Sequence, residues 1–259
     1  MEVPRQCLAA AGKFPGAGYT DVRCSAPPGG TELDANLGRL PILEGACAPL
    51  RVGEDNPRGP LSPSHHPLPR PTPSPQTVDG VSIGQSTAIN YWVAQHCNLL
   101  GSSPAEAASI LSFGEHLREL REKYAAMVPW GTEPSAETLN TFFDSAEATD
   151  STGPADGSKR GARNLLWFMG RLEHLVGDGF AVGGKLSLAD IQLFNIFADS
   201  LTAEQSLGDL PSYRREPFGS LARTSAALAK HPKLAKIVAA VGAHPNIQKW
   251  LQTRGQQGF

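Results

Sequence analysis

Residues 187–201 constrain the fold more than any other stretch, because they are apolar on nearly every side of a helix. Such a helix is stable only when other elements surround it, so the stretch predicts a buried, central helix. Ser187 is a favourable N-cap residue, and Asp190 stands three positions later, where its carboxylate can reach back to the cap amide. Leu186 and Ile191 flank the pair as a hydrophobic staple. Ser187 and Asp190 are therefore predicted to form a structural cap rather than a reactive site.

Apolar residues at helical spacing predict further helices on both sides of this one. They fall at residues 2–11, 87–97, 104–128, 138–146, 162–177, 221–229, 234–243 and 247–254. Short apolar runs within 19–25, 37–44 and 78–83 are predicted to be strands. Pro41 should lie at the start of the strand in the second run, because proline cannot donate to a central ladder. An α/β segment followed by an all-α block predicts two domains, at residues 1–97 and 103–259.

Residues 45–77 differ from both predicted domains in composition. They hold nine of the 22 prolines of the chain and almost no aliphatic side chains. Burial of so few apolar groups cannot offset the conformational entropy that the segment would lose on becoming ordered. The segment is therefore predicted to be a disordered insertion. The run "PLPRPTP" leaves a proline-directed docking site as the alternative.

Composition excludes several classes of partner. The 259 residues carry a net charge of −2 and no Lys/Arg run, which argues against nucleic acid and against a charged membrane surface. No stretch approaches the ~20 apolar residues that span a bilayer, and the first residues lack the apolar core of a signal peptide.

The four cysteines form no CxxC pair and no His cluster accompanies them, so neither a metal site nor a disulfide framework is expected. Reduced thiols in the cytoplasm are the simpler expectation.

Residues 83–92, "IGQSTAINYW", place Gln85 and Ser86 where a predicted strand meets a predicted helix. Ser86 is then either a helix cap or, together with Gln85, part of a site for a small anion. Gln85 offers amide donors and an acceptor, Ser86 a hydroxyl, and a helix N-terminus adds free N–H groups and a positive dipole end.

Five stretches carry a resemblance to one family, and their order and separation make it specific. They are "EVPRQCLAAAG…YTDVR", "NLGRLPILE", "VDGVSIGQSTAINYWVAQHCNLLG", "GDGFAVGGKLSLADIQLF" and "HPKLAKIVAAVGAHPNIQKWLQTR". Together they resemble the cytosolic glutathione S-transferases, most closely the sigma and mu classes. Only residues 45–77 lie outside the resemblance.

The resemblance implies a thioredoxin-like, glutathione-binding N-terminal domain, an all-helical C-terminal domain and a homodimer. It implies that glutathione thiolate, a co-substrate rather than a cofactor, attacks a small hydrophobic electrophile in glutathione metabolism and detoxification. Gln85 and Ser86 would bind the γ-glutamyl carboxylate. Leu40 would pair its backbone with the cysteinyl unit, Pro41 would hold that turn in the cis form, and Arg39 would reach the glycyl carboxylate unless it is only a surface cation.

The sequence also departs from the family pattern. In these classes a strand that precedes the first helix carries a tyrosine that stabilises the thiolate. In this sequence Met1 stands directly before the predicted first helix, so neither that strand nor its tyrosine is expected. The thioredoxin-like domain is therefore expected to be incomplete, and no catalytic residue is nominated. A gene model with a missed first exon and a retained intron would produce both this departure and residues 45–77, and sequencing the transcript tests that hypothesis.

Three functions follow from these observations. The first is a glutathione transferase, with isomerase and peroxidase activities left open. The second is a catalytically impaired relative, either a ligandin-like binding protein or a crystallin-like structural protein. An interaction module ranks last, because nothing resembles an appended translation domain.

Overall fold

A computed structural model of the chain describes residues 2–15, 42–43, 83–144, 163–206, 208 and 210–256. The chain divides into two compact units, one made of residues 1–26 and 90–259 and the other of residues 27–89. We call the first the helical unit and the second the strand unit. The predicted strand at 19–25 and the predicted insertion at 45–77 lie outside the described residues.

The described elements are mostly helical. In chain order they are α1 (Glu2–Ala10), β1 (Ile42–Leu43), β2 (Ile83–Gly84), α2 (Ser86–His96), α3 (Pro104–Met127), α4 (Ala136–Asp144), α5 (Leu165–Leu175), α6 (Leu188–Phe197), α7 (Ser212–Arg215), α8 (Leu221–Leu228), α9 (Pro232–Gly242) and α10 (Pro245–Thr253). A 3-10 turn at Pro217–Gly219 joins α7 to α8. Among the described helices, none is both long and apolar enough to cross a membrane.

In the helical unit, α6 is the central helix, as its all-round apolar sequence predicted. Eight of its residues are buried, from Leu188 to Phe197, and it packs against α9, α3 and α1. Gly114 lets α3 approach closely, because a Cβ there would lie 3.1 Å from the side-chain amide of Gln192. The helix ends at Phe197, four residues earlier than predicted, since the backbone of Ala198 has left the helical region.

A second apolar cluster lies where α3 and α4 meet the 3-10 turn. The ring of Tyr124 makes edge contacts with Phe142 and Phe218, at centroid distances of 5.0 and 5.4 Å. Phe218 has a left-handed backbone, with φ 49°, although it carries a bulky side chain. Such a conformation is rare for a large residue, so the aromatic packing is what holds it there. Neither α7 nor this turn was predicted from the sequence.

The strand unit contains one antiparallel pair. Ile42 lies opposite Gly84 and Leu43 opposite Ile83. The pairing joins two of the apolar runs that the sequence predicted to be strands, although residues 44–82 separate them along the chain. A long connection is compatible with the pair, because the entropy cost of closing a loop grows only with the logarithm of its length.

Candidate glutathione site

Gln85 alone separates β2 from α2, and its backbone is left-handed, with φ 70°. The N–H of Ile89 donates to the carbonyl oxygen of Gln85 at 3.0 Å, which is the first hydrogen bond of the helix. Gln85 therefore occupies the N-cap position and Ser86 is the first helical residue. A left-handed residue other than glycine is uncommon and costs free energy, so this junction carries backbone strain.

The position of Ser86 corrects one of the two interpretations of the sequence. A capping serine has to precede the helix, so that its hydroxyl can accept from an N–H group two or three residues later. Ser86 lies one residue too far along, so the interpretation of Ser86 as the helix cap is wrong. Ser86 is exposed, as are Gln85, Thr87 and Ala88.

The first turn of α2 has the properties of an anion site. The first N–H groups of a helix have no partner within it, and the aligned peptide dipoles place partial positive charge there. The hydroxyl of the exposed Ser86 adds another donor at the same end. A carboxylate is a chemically suitable ligand for this group of donors.

The other predicted ligands precede β1. Arg39, Leu40 and Pro41 lie outside the described residues, so their predicted roles stay predictions. The nearest described residue is Ile42, which is bonded to Pro41 and pairs with Gly84.

Ser187 and Asp190 form a capping box at the start of α6. One oxygen of the Asp190 carboxylate accepts from the backbone N–H of Ser187 at 2.7 Å and from its hydroxyl at 2.6 Å. The other oxygen accepts from the N–H of Ala181 at 2.6 Å. Burial raises the pKa of Asp190, and these hydrogen bonds oppose the rise. Through these three hydrogen bonds the carboxylate orders the chain before α6.

Part of the helical unit is similar to a known protein family. Residues 159–254 match the family model described as "Glutathione S-transferase, C-terminal domain". A glutathione S-transferase of Gallus gallus is 28% identical over 180 residues, which is 70% of this chain and 66% of that protein. The aligned region thus spans slightly less than two thirds of the curated relative.

Solved structures identify the fold. The monomeric glutathione S-transferase Na-GST-3 of the hookworm Necator americanus superposes with a TM-score of 0.59 at 19% identity, covering 100% of this chain and 93% of that one. A Caenorhabditis elegans glutathione S-transferase has a TM-score of 0.55 at 21% identity, with the same coverage. Prostaglandin synthase D of Nilaparvata lugens has a TM-score of 0.56 at 15% identity, covering 98% and 92%.

These matches confirm the predicted fold class, α/β followed by all-α, with an incomplete thioredoxin-like N-terminal domain and an all-helical C-terminal domain. The chain therefore has the glutathione S-transferase fold, and its residues 159–254 correspond to the C-terminal domain of that family.

Proposed function

We propose that this protein is a glutathione S-transferase, which joins the sulfur of reduced glutathione to an electrophilic carbon of a small hydrophobic molecule. The observation that carries the proposal is the strained backbone of Gln85, with φ 70°, directly before the exposed first turn of α2. Strain of this kind persists where the surrounding structure or a ligand requires it, and it concentrates at binding sites.

The ligand that fits this turn is the γ-glutamyl end of glutathione. Its carboxylate accepts from the Ser86 hydroxyl and from the N–H groups at the start of α2, while the amide of Gln85 offers both a donor and an acceptor. Hydrogen bonds to a charged group are worth about 1.5–3 kcal/mol each. A few such bonds account for tripeptide binding in the millimolar to micromolar range.

The cysteinyl and glycyl parts of glutathione are assigned to Leu40, Pro41 and Arg39. Pro41 is bonded to Ile42 and Gln85 to Gly84, and the pairing of Ile42 with Gly84 supports a site shared by both motifs. We propose that the backbone of Leu40 pairs with the cysteinyl unit and that Arg39 binds the glycyl carboxylate.

Retention on glutathione-agarose, combined with turnover of chlorodinitrobenzene, tests this function. The thiolate attacks the ring carbon, a thioether bond forms and chloride leaves. We expect the chain to bind the resin, to elute with free glutathione and to accelerate the reaction above the buffer rate. Retention without turnover would contradict the transferase activity, and failure to bind would contradict the glutathione site itself.

The proposal extends to a homodimer of the sigma or mu type in the cytoplasm. The five stretches that resemble those classes support the class and the assembly, and the buried free thiols of Cys7 and Cys97 suit a reducing compartment. The hookworm relative is described as monomeric, so the assembly needs its own measurement. Light scattering should give twice the mass of the chain, and the mass of a single chain would contradict the dimer.

A further inference from the structure

A buried polar cluster fixes α1 to the rest of the helical unit. Arg254, which is 4% exposed, donates from Nη1 to Asp199 Oδ1 at 2.8 Å and to Glu2 Oε1 at 3.2 Å. The indole N–H of Trp250 donates to the same Glu2 oxygen at 2.6 Å. From the next turn of α1, the amide nitrogen of Gln6 donates to Asp199 Oδ2 at 2.8 Å. α1 is thus held at two points by groups at the ends of α6 and α10.

Arg254 is the cation that lies nearest to both carboxyl groups of this cluster. Its guanidinium pairs with Glu2 and with Asp199. Two further arginines face the pair. Arg5 forms an ion pair with Glu2 at 3.9 Å, and Arg121 of α3 donates to Asn195, whose amide donates to Asp199. Burial nevertheless disfavours the ionised form of a carboxyl group, so the site of Asp199 favours an additional proton.

Gln6 supplies an acceptor for that proton. Its oxygen Oε1 is buried and has no hydrogen-bond partner, although the nitrogen of the same amide donates to Asp199. An ionised carboxylate can only accept, whereas a protonated one gains an O–H donor. Protonation of Asp199 would therefore supply a donor beside an amide that has one atom without a partner.

We propose that Glu2, Gln6, Asp199 and Arg254 form a proton-operated latch, which holds α1 on the rest of the helical unit most firmly when Asp199 is protonated and donates to Gln6. The latch does not depend on the proposed transferase activity, because none of its residues belongs to the proposed glutathione site. We refer to these four residues as the α1 latch.

The electrostatics of Asp199 give the direction of the pH dependence. Burial raises its pKa from the ordinary 3.8 to about 6, and Glu2 adds to the rise while Arg254 opposes it. The docked state therefore binds the proton more tightly than the detached state, in which Asp199 meets water. The added stability is complete below pH 4 and is lost as the pH rises through 6.

Protons can reach the latch from solvent. Asp199 and Arg254 line an open cavity of about 210 Å³, together with Phe194, Thr202, Gln205 and Leu251. Titration of Asp199 therefore does not require the unit to unfold.

Hydrogen–deuterium exchange of the α1 amides, corrected for the intrinsic exchange rate, tests the latch. For a pKa of 6 in the docked state and 3.8 in the detached state, protection of α1 should fall about tenfold between pH 5.0 and pH 7.5. The amides of α9 serve as an internal reference and should keep their protection. Protection of α1 that does not change with pH, or an equal fall in α9, would overturn the latch.

Variants isolate the group responsible. Asp199→Asn carries an N–H donor at every pH, so its α1 protection should be independent of pH and close to that of the wild type at pH 5.0. Glu2→Gln removes the neighbouring negative charge and should move the pH transition of α1 protection to lower pH. This variant tests the α1 latch if Asp199→Asn does not fold.

Asp178→Asn is the matched control, because this exposed carboxylate pairs only with Lys236 among the described residues. The Asp178→Asn variant should keep the tenfold fall in α1 protection between pH 5.0 and pH 7.5. The same fall in the Asp199→Asn variant would contradict the assignment of this transition to Asp199.

Discussion

At the scale of single residues, Gln85 combines a strained backbone with a side chain that the proposed site uses. A residue with a Cβ pays roughly 1–2 kcal/mol for left-handed backbone, and glycine avoids most of that penalty. The sequence gives no sign of this conformation, because the glycine stands at Gly84 and not at the strained position. Glutamine disfavours this backbone conformation, so we expect its side chain to be needed for binding.

The change Gln85→Gly separates the backbone strain at this position from the contribution of the side chain to binding. We expect the free energy of unfolding to rise by about 1 kcal/mol, because the strain is relieved, while the affinity for glutathione falls several-fold with loss of the amide. Urea denaturation and titration calorimetry measure the two quantities. Gln85→Asn is the control, since asparagine tolerates left-handed backbone and keeps an amide. Unchanged affinity in the glycine variant would remove Gln85 from the site.

Ser86 gives the complementary prediction. Because it is the first helical residue and not the cap, Ser86→Ala should change the free energy of unfolding by less than about 0.5 kcal/mol. The dissociation constant for glutathione should rise about tenfold, since a hydrogen bond to a carboxylate is lost. Ser109→Ala, an exposed change on α3, is the control and should alter neither quantity. A loss of stability with intact binding would show that Ser86 has only a structural role.

At the scale of elements, sequence periodicity located the long helices and missed the short ones. The start of α3 was predicted at Pro104, and prolines also begin α9 and α10, because the fixed φ of proline suits the first helical turn. The segment Ser212–Arg215 is only four residues long and carries two arginines, so it offered no apolar stripe. The 3-10 turn that follows depends on the left-handed Phe218 and its aromatic neighbours, which local sequence does not encode.

The cap of α6 is the element whose loss should cost most. Asp190→Ala leaves three donors on Ser187 and Ala181 without their acceptor in a buried place. Unsatisfied buried groups cost about 1–3 kcal/mol each, so we expect the free energy of unfolding to fall by about 3 kcal/mol. Urea denaturation followed by circular dichroism measures it.

Asp178→Ala is the matched control for this prediction. Its carboxylate is highly exposed and pairs with Lys236, and surface ion pairs contribute little. Its free energy of unfolding should stay within about 0.5 kcal/mol of the wild type. A similarly small effect of Asp190→Ala would show that water replaces the carboxylate at the start of α6.

At the scale of the whole molecule, the α/β segment and the central helix followed from sequence, but the α1 latch did not. Asp199 lies 193 positions from Gln6, and Arg254 lies 252 positions from Glu2. Charged residues at helix ends are normally solvated, so nothing in the local pattern predicted their burial. Only the packing of α1 on α6 and α10 brings them together.

The connection between β1 and β2 gives a prediction at this scale. Deleting residues 45–77 shortens that connection about sixfold, which lowers the entropy cost of pairing the strands by about 1.5 kcal/mol. Amide protection at Ile83 and Gly84 should rise, and the thermal unfolding of the helical unit should not change. Reversing the sequence of 45–77 keeps its length and composition and serves as the control. Unfolding of the deleted protein would show that these residues support the fold.

The ion pair of Glu2 with Arg254 also brings the two ends of the described chain together. Ends that meet can be joined, and long polar connections are the places where a chain tolerates being cut. A circular permutant that links residue 256 to residue 2 and opens between residues 60 and 61 would exchange the order of the two strands along the polypeptide. The native connectivity would then be one of at least two routes by which these residues reach the same fold.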